Sequence, residues 1–143
     1  SKSLESIVWE TPPEVFEPIN KEFNFTLDVC AIPENAKCKK YFTPDMDGLK
    51  QNWKDEVCWC NPPYGNEVQK WCKKAIQESY NGATTVLLIP CKTNTNWWYD
   101  LVIPFAEVRF LRGRVKFIQD GKQFEQALPW PLAFVIYKKQ LYA

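Results

Sequence analysis

Two short apolar segments, separated by a strongly amphipathic one, dominate the middle of the sequence. The apolar segments are residues 56–60 and 84–90, and their length and composition are typical of buried strands. Between them, apolar residues recur at helical spacing and predict a helix from about residue 66 to residue 80, which Asn81-Gly82 would end. A strand, a helix and a strand in this order form a βαβ unit with parallel strands. We therefore predict an α/β fold with an open, mostly parallel sheet.

The remaining elements extend this sheet on both sides. Thr11-Pro12-Pro13-Glu14 has the residue order of a capping box, and Pro18 should shorten or kink the helix that follows. Other patterns predict strands at residues 25–30, 106–110, 115–117 and 132–137, and a short helix over 96–103. Polar stretches predict loops over residues 33–54, with a short strand at 40–42, and over 119–131.

Length and composition narrow the possible functions. The 143 residues predict one domain over 1–143, and apolar runs such as residues 86–89 are far too short to cross a membrane. The sequence shows no leader segment, so we expect a cytoplasmic protein. The absence of histidine excludes Ser-His-Asp and Cys-His hydrolases. The six cysteines contain no CxxC pair, so we expect reduced thiols and no metal site.

Polar residues follow three of the predicted strands. They are Asp28, the Asn61-Pro62-Pro63-Tyr64 turn and residues 91–95. Ligands of open parallel sheets bind outside the carboxyl ends of the strands, so these positions predict the location of a site. Because the turn at Asn61 follows a buried strand and precedes a helix, it indicates a functional loop rather than a simple turn.

The turn also carries a resemblance to a known family. Asn61-Pro62-Pro63-Tyr64 matches the NPPY motif of amino-methyltransferases that use S-adenosylmethionine (SAM). The whole chain resembles the small phage-type DNA N6-adenine methyltransferase family, through WETPPEVF (9–16), FNFTLDVCA (23–31), DGLKQNW (47–53), VCWCNPPYG (57–65), VLLIPCKTNT (86–95) and LRGRVKF (111–117). This resemblance implies the class I (Rossmann-like) SAM-dependent methyltransferase fold and methyl transfer to N6 of an adenine flipped out of DNA. Only 18 residues separate Asp28 from Asp47, so we expect the sheet to be trimmed on that side.

The resemblance assigns catalysis to Asn61, Pro62, Pro63 and Tyr64. The chemistry agrees, because the Asn61 amide oxygen and the Pro62 carbonyl can accept the two hydrogens of an aromatic amine, while the prolines stiffen the turn. No strong base is needed before the attack, which suits a chain without histidine. Tyr64 would stack on the flipped base.

The resemblance also implies cofactor-binding residues. Thr11 and Pro12 would hold the amino-acid end of SAM beside the amino terminus of a helix, whose free N–H groups favour a carboxylate. Asp28 would lie near the ammonium, Ala31 in the turn after it, Asp47 at the adenine amine, and Asn61 between cofactor and base. The ligand of the ribose stays open among Glu34, Asn35 and Asp45.

DNA is the expected partner, although the net charge of +1 gives no sign of nucleic-acid binding. We expect Arg112 and Arg114 to contact phosphates and Phe117 to form a second wall of the base pocket. Three alternatives stay open: methylation of a protein glutamine amide, methylation of adenine in RNA, and a non-catalytic binding module on a methyltransferase fold.

Overall fold

The structure, a computed structural model, describes residues 9–119, 121–123 and 128–141. The strands are β1 (Leu27–Asp28), β2 (Val57–Cys60), β3 (Thr84–Pro90), β4 (Glu107–Phe110), β5 (Ile118–Gln119), β6 (Lys122–Gln123) and β7 (Leu132–Tyr137). The central sheet has five strands in the order β1-β2-β3-β7-β4, and a second sheet pairs β5 with β6. The helices are α1 (Pro13–Phe23), α2 (Val68–Ser79), a 3₁₀ turn (Gly48–Lys50) and a π-helical turn (Trp98–Val102).

Four of the five strands in the main sheet run in one direction. β1, β2 and β3 pair in parallel, and both β3 and β4 pair antiparallel to β7, so β4 runs with the first three. The predicted open α/β sheet, mostly parallel in strand direction, is confirmed. Its parallel strands all end at one edge, where ligands of such sheets bind.

Both faces of the sheet are covered, which explains why β3 is apolar without a break from Val86 to Pro90. Leu87 and Ile89 belong to the core cluster that contains Cys72 and Ala75 of α2. Val86 and Leu88 belong to the cluster on the opposite face, with Phe16 and Ile19 of α1. Alternate residues of a strand point to opposite faces, so a strand between two helical layers needs apolar residues throughout.

The predicted capping box at the start of α1 is wrong. Pro12 is the N-cap residue and no side chain caps the helix, which begins at Pro13. Pro18 does not shorten the helix either, because the helix continues to Phe23. Pro18 lies on the exposed face, whereas Phe16 and Ile19 are buried against the sheet, and this packing holds the helix together across the proline.

The other predicted elements differ mainly at their ends. The predicted helix over 66–80 is observed as α2, and the predictions for 84–90 and 132–137 are confirmed with the same bounds as β3 and β7. The predicted strand at 115–117 is wrong: pairing starts at Ile118, which bridges Glu10 and faces Gln123 of β6. The predicted loop over 119–131 therefore contains β6, and residues 120 and 124–127 lie outside the described residues.

Within the described ranges, no helix is long and apolar enough to cross a membrane.

The strand predicted over 25–30 is observed only at Leu27–Asp28, and the one predicted over 40–42 is reduced to a single parallel bridge between Asp28 and Tyr41. β1 is thus a short edge strand, which agrees with a sheet trimmed on this side.

Candidate active site

The NPPY turn leaves β2 at Cys60 and runs into α2. Pro62 and Pro63 are buried, and Gly65 has a φ of 119°, which favours glycine. The Tyr64 hydroxyl donates a hydrogen bond to the Leu88 carbonyl of β3 over 3.0 Å. Two prolines and a bond to the next strand therefore fix the backbone of this turn. No described residue donates a hydrogen bond to the Pro62 carbonyl oxygen.

The Asn61 side chain is oriented by Thr11. Its Nδ2 donates a hydrogen bond to the Thr11 hydroxyl over 3.3 Å, and Thr11 is only 2% exposed. With the NH₂ group held by this contact, the Asn61 Oδ1 lies at the other end of the planar amide and points away from Thr11. Thr11 thus serves the NPPY turn rather than capping α1.

The amino terminus of α1 offers fewer donors than the sequence suggested. Pro12 and Pro13 have no N–H group, and the N–H groups of Val15 and Phe16 both donate to the Pro12 carbonyl. Fewer free N–H groups are therefore available here for a carboxylate, and the assignment of Thr11 and Pro12 to the amino-acid end of SAM stays a prediction. Thr11 contributes its hydroxyl to this region, and Pro12 is the buried N-cap residue of α1.

Asp28 lies at the carboxyl end of β1 and is 2% exposed. Its carboxylate accepts hydrogen bonds from the N–H groups of Cys30 (3.2 Å) and Lys37 (3.0 Å). Burial raises the pKa of Asp28 to about 7, although these two bonds and the Lys37 ammonium favour its ionised form. Asp28 lines a small cavity together with Thr11, Asn61 and Lys37.

Asp47 and Ala31 line a neighbouring cavity that shares Cys30 with the first. The Asp47 carboxylate accepts a hydrogen bond from the Leu49 N–H over 3.1 Å. The adjacent Gly48 packs directly on Val29, the residue after β1: a Cβ atom there would lie 2.0 Å from the Val29 carbonyl oxygen. Only glycine permits this approach, which holds Asp47 beside the strand that ends at Asp28.

Aromatic rings surround the other side of the NPPY turn. Trp9, Asn61, Pro62, Tyr64 and Phe117 line a cavity there. The Tyr64 ring meets Phe117 and Trp130 edge to face, with centroids 6.2 Å apart in both pairs, and Phe117 is buried. Phe117 is therefore both a core residue and a wall of this cavity.

The two predicted phosphate contacts differ from the arginine next to them. Arg112 and Arg114 are exposed and have no ion pair among the described residues. Arg109 instead pairs with Glu22 and Glu107. The turn at Gly113, with a φ of 75°, holds Arg112 and Arg114 outside the sheet.

Asn61 connects these regions, because it lines both the cavity of Asp28 and the aromatic cavity. The structure thus brings the predicted residues Thr11, Asp28, Asn61, Pro62, Tyr64 and Phe117 to one end of the sheet, and Ala31 and Asp47 to the cavity next to it.

Sequence reasoning missed Trp9, Lys37 and Trp130. Lys37 pairs with Glu10 over 3.1 Å at the Asp28 cavity. Of the three candidates for the ribose, only Asn35 lines that cavity; its amide donates to the Trp9 carbonyl and accepts from the Ile32 N–H. Glu34 and Asp45 are exposed. The signal available for Trp9 was its place at the start of the segment 9–16, which carries part of the family resemblance.

The six cysteines are free thiols, four of them buried. Burial raises the pKa of Cys58 and Cys72 to about 12, so these thiols stay protonated near neutral pH. In the ranges that the structure describes, no three His, Cys, Asp or Glu side chains are grouped as a metal site would require.

The chain is similar in sequence to a known protein family. The family model described as DNA N-6-adenine-methyltransferase (Dam) matches residues 2–140. This chain belongs to that family.

Individual Dam-family relatives agree with the match. The chain is 31% identical over 132 residues to a DNA N-6-adenine-methyltransferase of Haemophilus phage HP1 (strain HP1c1), covering 88% of this chain and 76% of the relative. It is 27% identical over 122 residues to a DNA N-6-adenine-methyltransferase of Escherichia phage T1, covering 84% of this chain and 51% of the relative. The predicted family and enzyme class, a phage-type DNA N6-adenine methyltransferase, are confirmed.

Proposed function

We propose that this chain transfers the methyl group of SAM to the N6 amino group of an adenine that has left the DNA duplex. The observation that carries the proposal is the position of Asn61. Its side chain is oriented by Thr11 and lines both the cavity of Asp28 and the aromatic cavity. A transfer between two bound molecules needs both of them held in fixed relative positions, and Asn61 is placed to contact both.

The acidic side of the site suits the polar groups of SAM. SAM carries an ammonium group and an adenine amine, which are hydrogen-bond donors, and Asp28 and Asp47 supply carboxylate acceptors in neighbouring cavities. The Asp28 carboxylate already accepts two backbone N–H groups, which hold it in place. When bound, SAM supplies an electrophilic methyl group on a sulfonium.

The chain's own part in the reaction is to present the amine. We infer that Asn61 Oδ1 and the Pro62 carbonyl oxygen accept hydrogen bonds from the two N–H groups of adenine N6. Two acceptors in fixed positions favour a pyramidal nitrogen and direct its lone pair away from the ring. The proton leaves the nitrogen after methylation, when it has become acidic, so no histidine is required.

The aromatic side suits a base that has left the duplex. Trp9 and Tyr64 supply half-buried ring surfaces against which a planar base can pack, and the buried Phe117 supports both rings from behind. Arg112 and Arg114, exposed and without acidic partners in the described chain, would contact the DNA backbone.

The test is a methylation assay with methyl-labelled SAM and unmethylated plasmid DNA, followed by digestion to nucleosides. Label in N6-methyldeoxyadenosine supports the proposal. Label in RNA adenine or in protein glutamine, when those substrates are offered in parallel, would favour the alternative substrates, and no label in any of them would favour a binding module. An Asn61→Ala variant is the control for contaminating host methyltransferases.

A further inference from the structure

The loop that follows β3 forms a second basic feature at the site, distinct from the arginines. Residues 91–95 were singled out by their position at the end of a strand, but the proposed transfer does not use them. Lys92 lies in this loop, half buried, and its Nζ is 5.0 Å from the centre of the Trp130 ring. Trp130 in turn meets Tyr64 of the NPPY turn edge to face. Lys92 is thus two contacts away from the aromatic cavity.

Backbone hydrogen bonds hold this loop rigidly. The Cys91 N–H donates to the Pro131 carbonyl over 3.0 Å, which joins the residue before Lys92 to the residue after Trp130. The Lys92 carbonyl accepts bonds from both the N–H (3.1 Å) and the hydroxyl (2.7 Å) of Thr95. These bonds therefore hold the backbones of Lys92 and Trp130 side by side, within reach of the contact between their side chains.

The Lys92 ammonium has no ion pair with an acidic side chain among the described residues, unlike Lys37, Lys40, Lys70 and Lys74. An aromatic face attracts a cation but leaves its outer N–H donors available. A positioned ammonium with free donors, next to a cavity for an extruded base, matches a phosphate group of the strand that carries this base.

We propose that Lys92 binds a backbone phosphate beside the extruded adenine, and that Trp130 is a positioning residue that holds the Lys92 ammonium. The inference deepens the proposed function and rests on it. Lys92 would belong to substrate binding, so its loss should raise KM for DNA and leave kcat nearly unchanged. It would also fix the strand relative to Tyr64, through the shared contact with Trp130.

The test measures kcat/KM for plasmid DNA from roughly 50 to 200 mM salt, because each phosphate contact contributes about 0.9 to the slope of log affinity against log salt. Lys92→Gln and Lys92→Met should reduce the magnitude of this slope by about 0.9. The ratio of the wild-type kcat/KM to that of either variant should therefore shrink about 3.5-fold between roughly 50 and 200 mM salt. Lys92→Arg should keep the slope. Trp130→Leu should raise KM in the wild type, and by less in the Lys92→Gln background.

Lys139→Gln is the matched control, because Lys139 is exposed, has no ion pair among the described residues and lies beside Thr84 at the opposite end of β3. Its slope should equal that of the wild type. A wild type that labels deoxyadenosine, with a Lys92→Gln slope equal to that of Lys139→Gln, overturns this inference alone. A wild type that labels no DNA overturns the proposed function, and the inference with it. Thermal melting of every variant separates loss of folding from loss of contact.

Discussion

Replacing Thr11 by valine tests how the Asn61 amide is oriented. Valine keeps the shape of threonine and removes the hydroxyl that accepts the 3.3 Å bond from Asn61 Nδ2. One such hydrogen bond contributes about 0.5–1.5 kcal/mol. If this energy serves to hold Oδ1 toward the amine, its loss lowers kcat by about 2- to 13-fold. Unfolding stability should fall by no more than about 1.5 kcal/mol, because the half-buried Asn61 amide can bond water instead.

The assay is steady-state methylation of plasmid DNA, with the cofactor dissociation constant measured by calorimetry for each variant. Thr11→Ser is the matched control: it keeps a hydroxyl, so its kcat should stay close to that of the wild type. Equal kcat values for the valine and serine variants would refute the reasoning. A valine variant that loses cofactor affinity but keeps kcat would show that Thr11 binds the cofactor rather than orienting Asn61.

Substitutions at three further positions test other parts of the site. Burial raises the pKa of Asp28 to about 7, above the value of about 4 in an unfolded chain. The stability that this group contributes should therefore be present below about pH 4 and lost as the pH rises to about 7. Urea unfolding of the Asp28→Asn variant should not show this loss. Cofactor affinity should rise with pH over the same titration in the wild type only, because an ammonium prefers the ionised carboxylate; a flat profile in the wild type would argue against Asp28 as its partner. Gly48→Ala places a Cβ 2.0 Å from the Val29 carbonyl oxygen, so it should lower the stability by about 1–3 kcal/mol in thermal unfolding and weaken cofactor binding. An unchanged cofactor affinity would show that the loop of Asp47 and Gly48 does not bind the cofactor. Tyr64→Phe loses only the bond to Leu88 and should melt slightly earlier with near-normal activity, whereas Tyr64→Leu should lose roughly 5- to 160-fold in kcat/KM for DNA; equal losses in the two variants would contradict a stacking role.

Local patterns were enough to predict the central part of the fold. The βαβ unit around the NPPY turn was readable because periodicity and turn residues agree over residues 56–90. Phe117 and Val115 were misassigned to a strand because burial of alternate residues does not require pairing, and the pairing begins one residue later, at Ile118. The cap of α1 was wrong for a related reason: a local rule was overridden by a tertiary contact.

The contacts that build the site are long-range, and this is why the sequence did not reveal them. Thr11 and Asn61 are 50 positions apart, so no local pattern links them. Trp130 meets Tyr64, and Lys92 meets Trp130, only because β7 lies beside β3 in the sheet. The types of residue were therefore predictable from the motif, whereas their partners required the topology.

Asn61→Ala gives the most direct test of the central claim, that one oriented amide joins the cofactor side to the base side. The measurement is single-turnover methyl transfer to plasmid DNA at saturating SAM, with cofactor and DNA affinities determined for the same preparation. Transfer should fall by about 100-fold or more, as for the loss of an oriented transition-state contact, while cofactor affinity changes by less than about tenfold. An alanine variant that binds both ligands and still transfers methyl groups at the wild-type rate would contradict it.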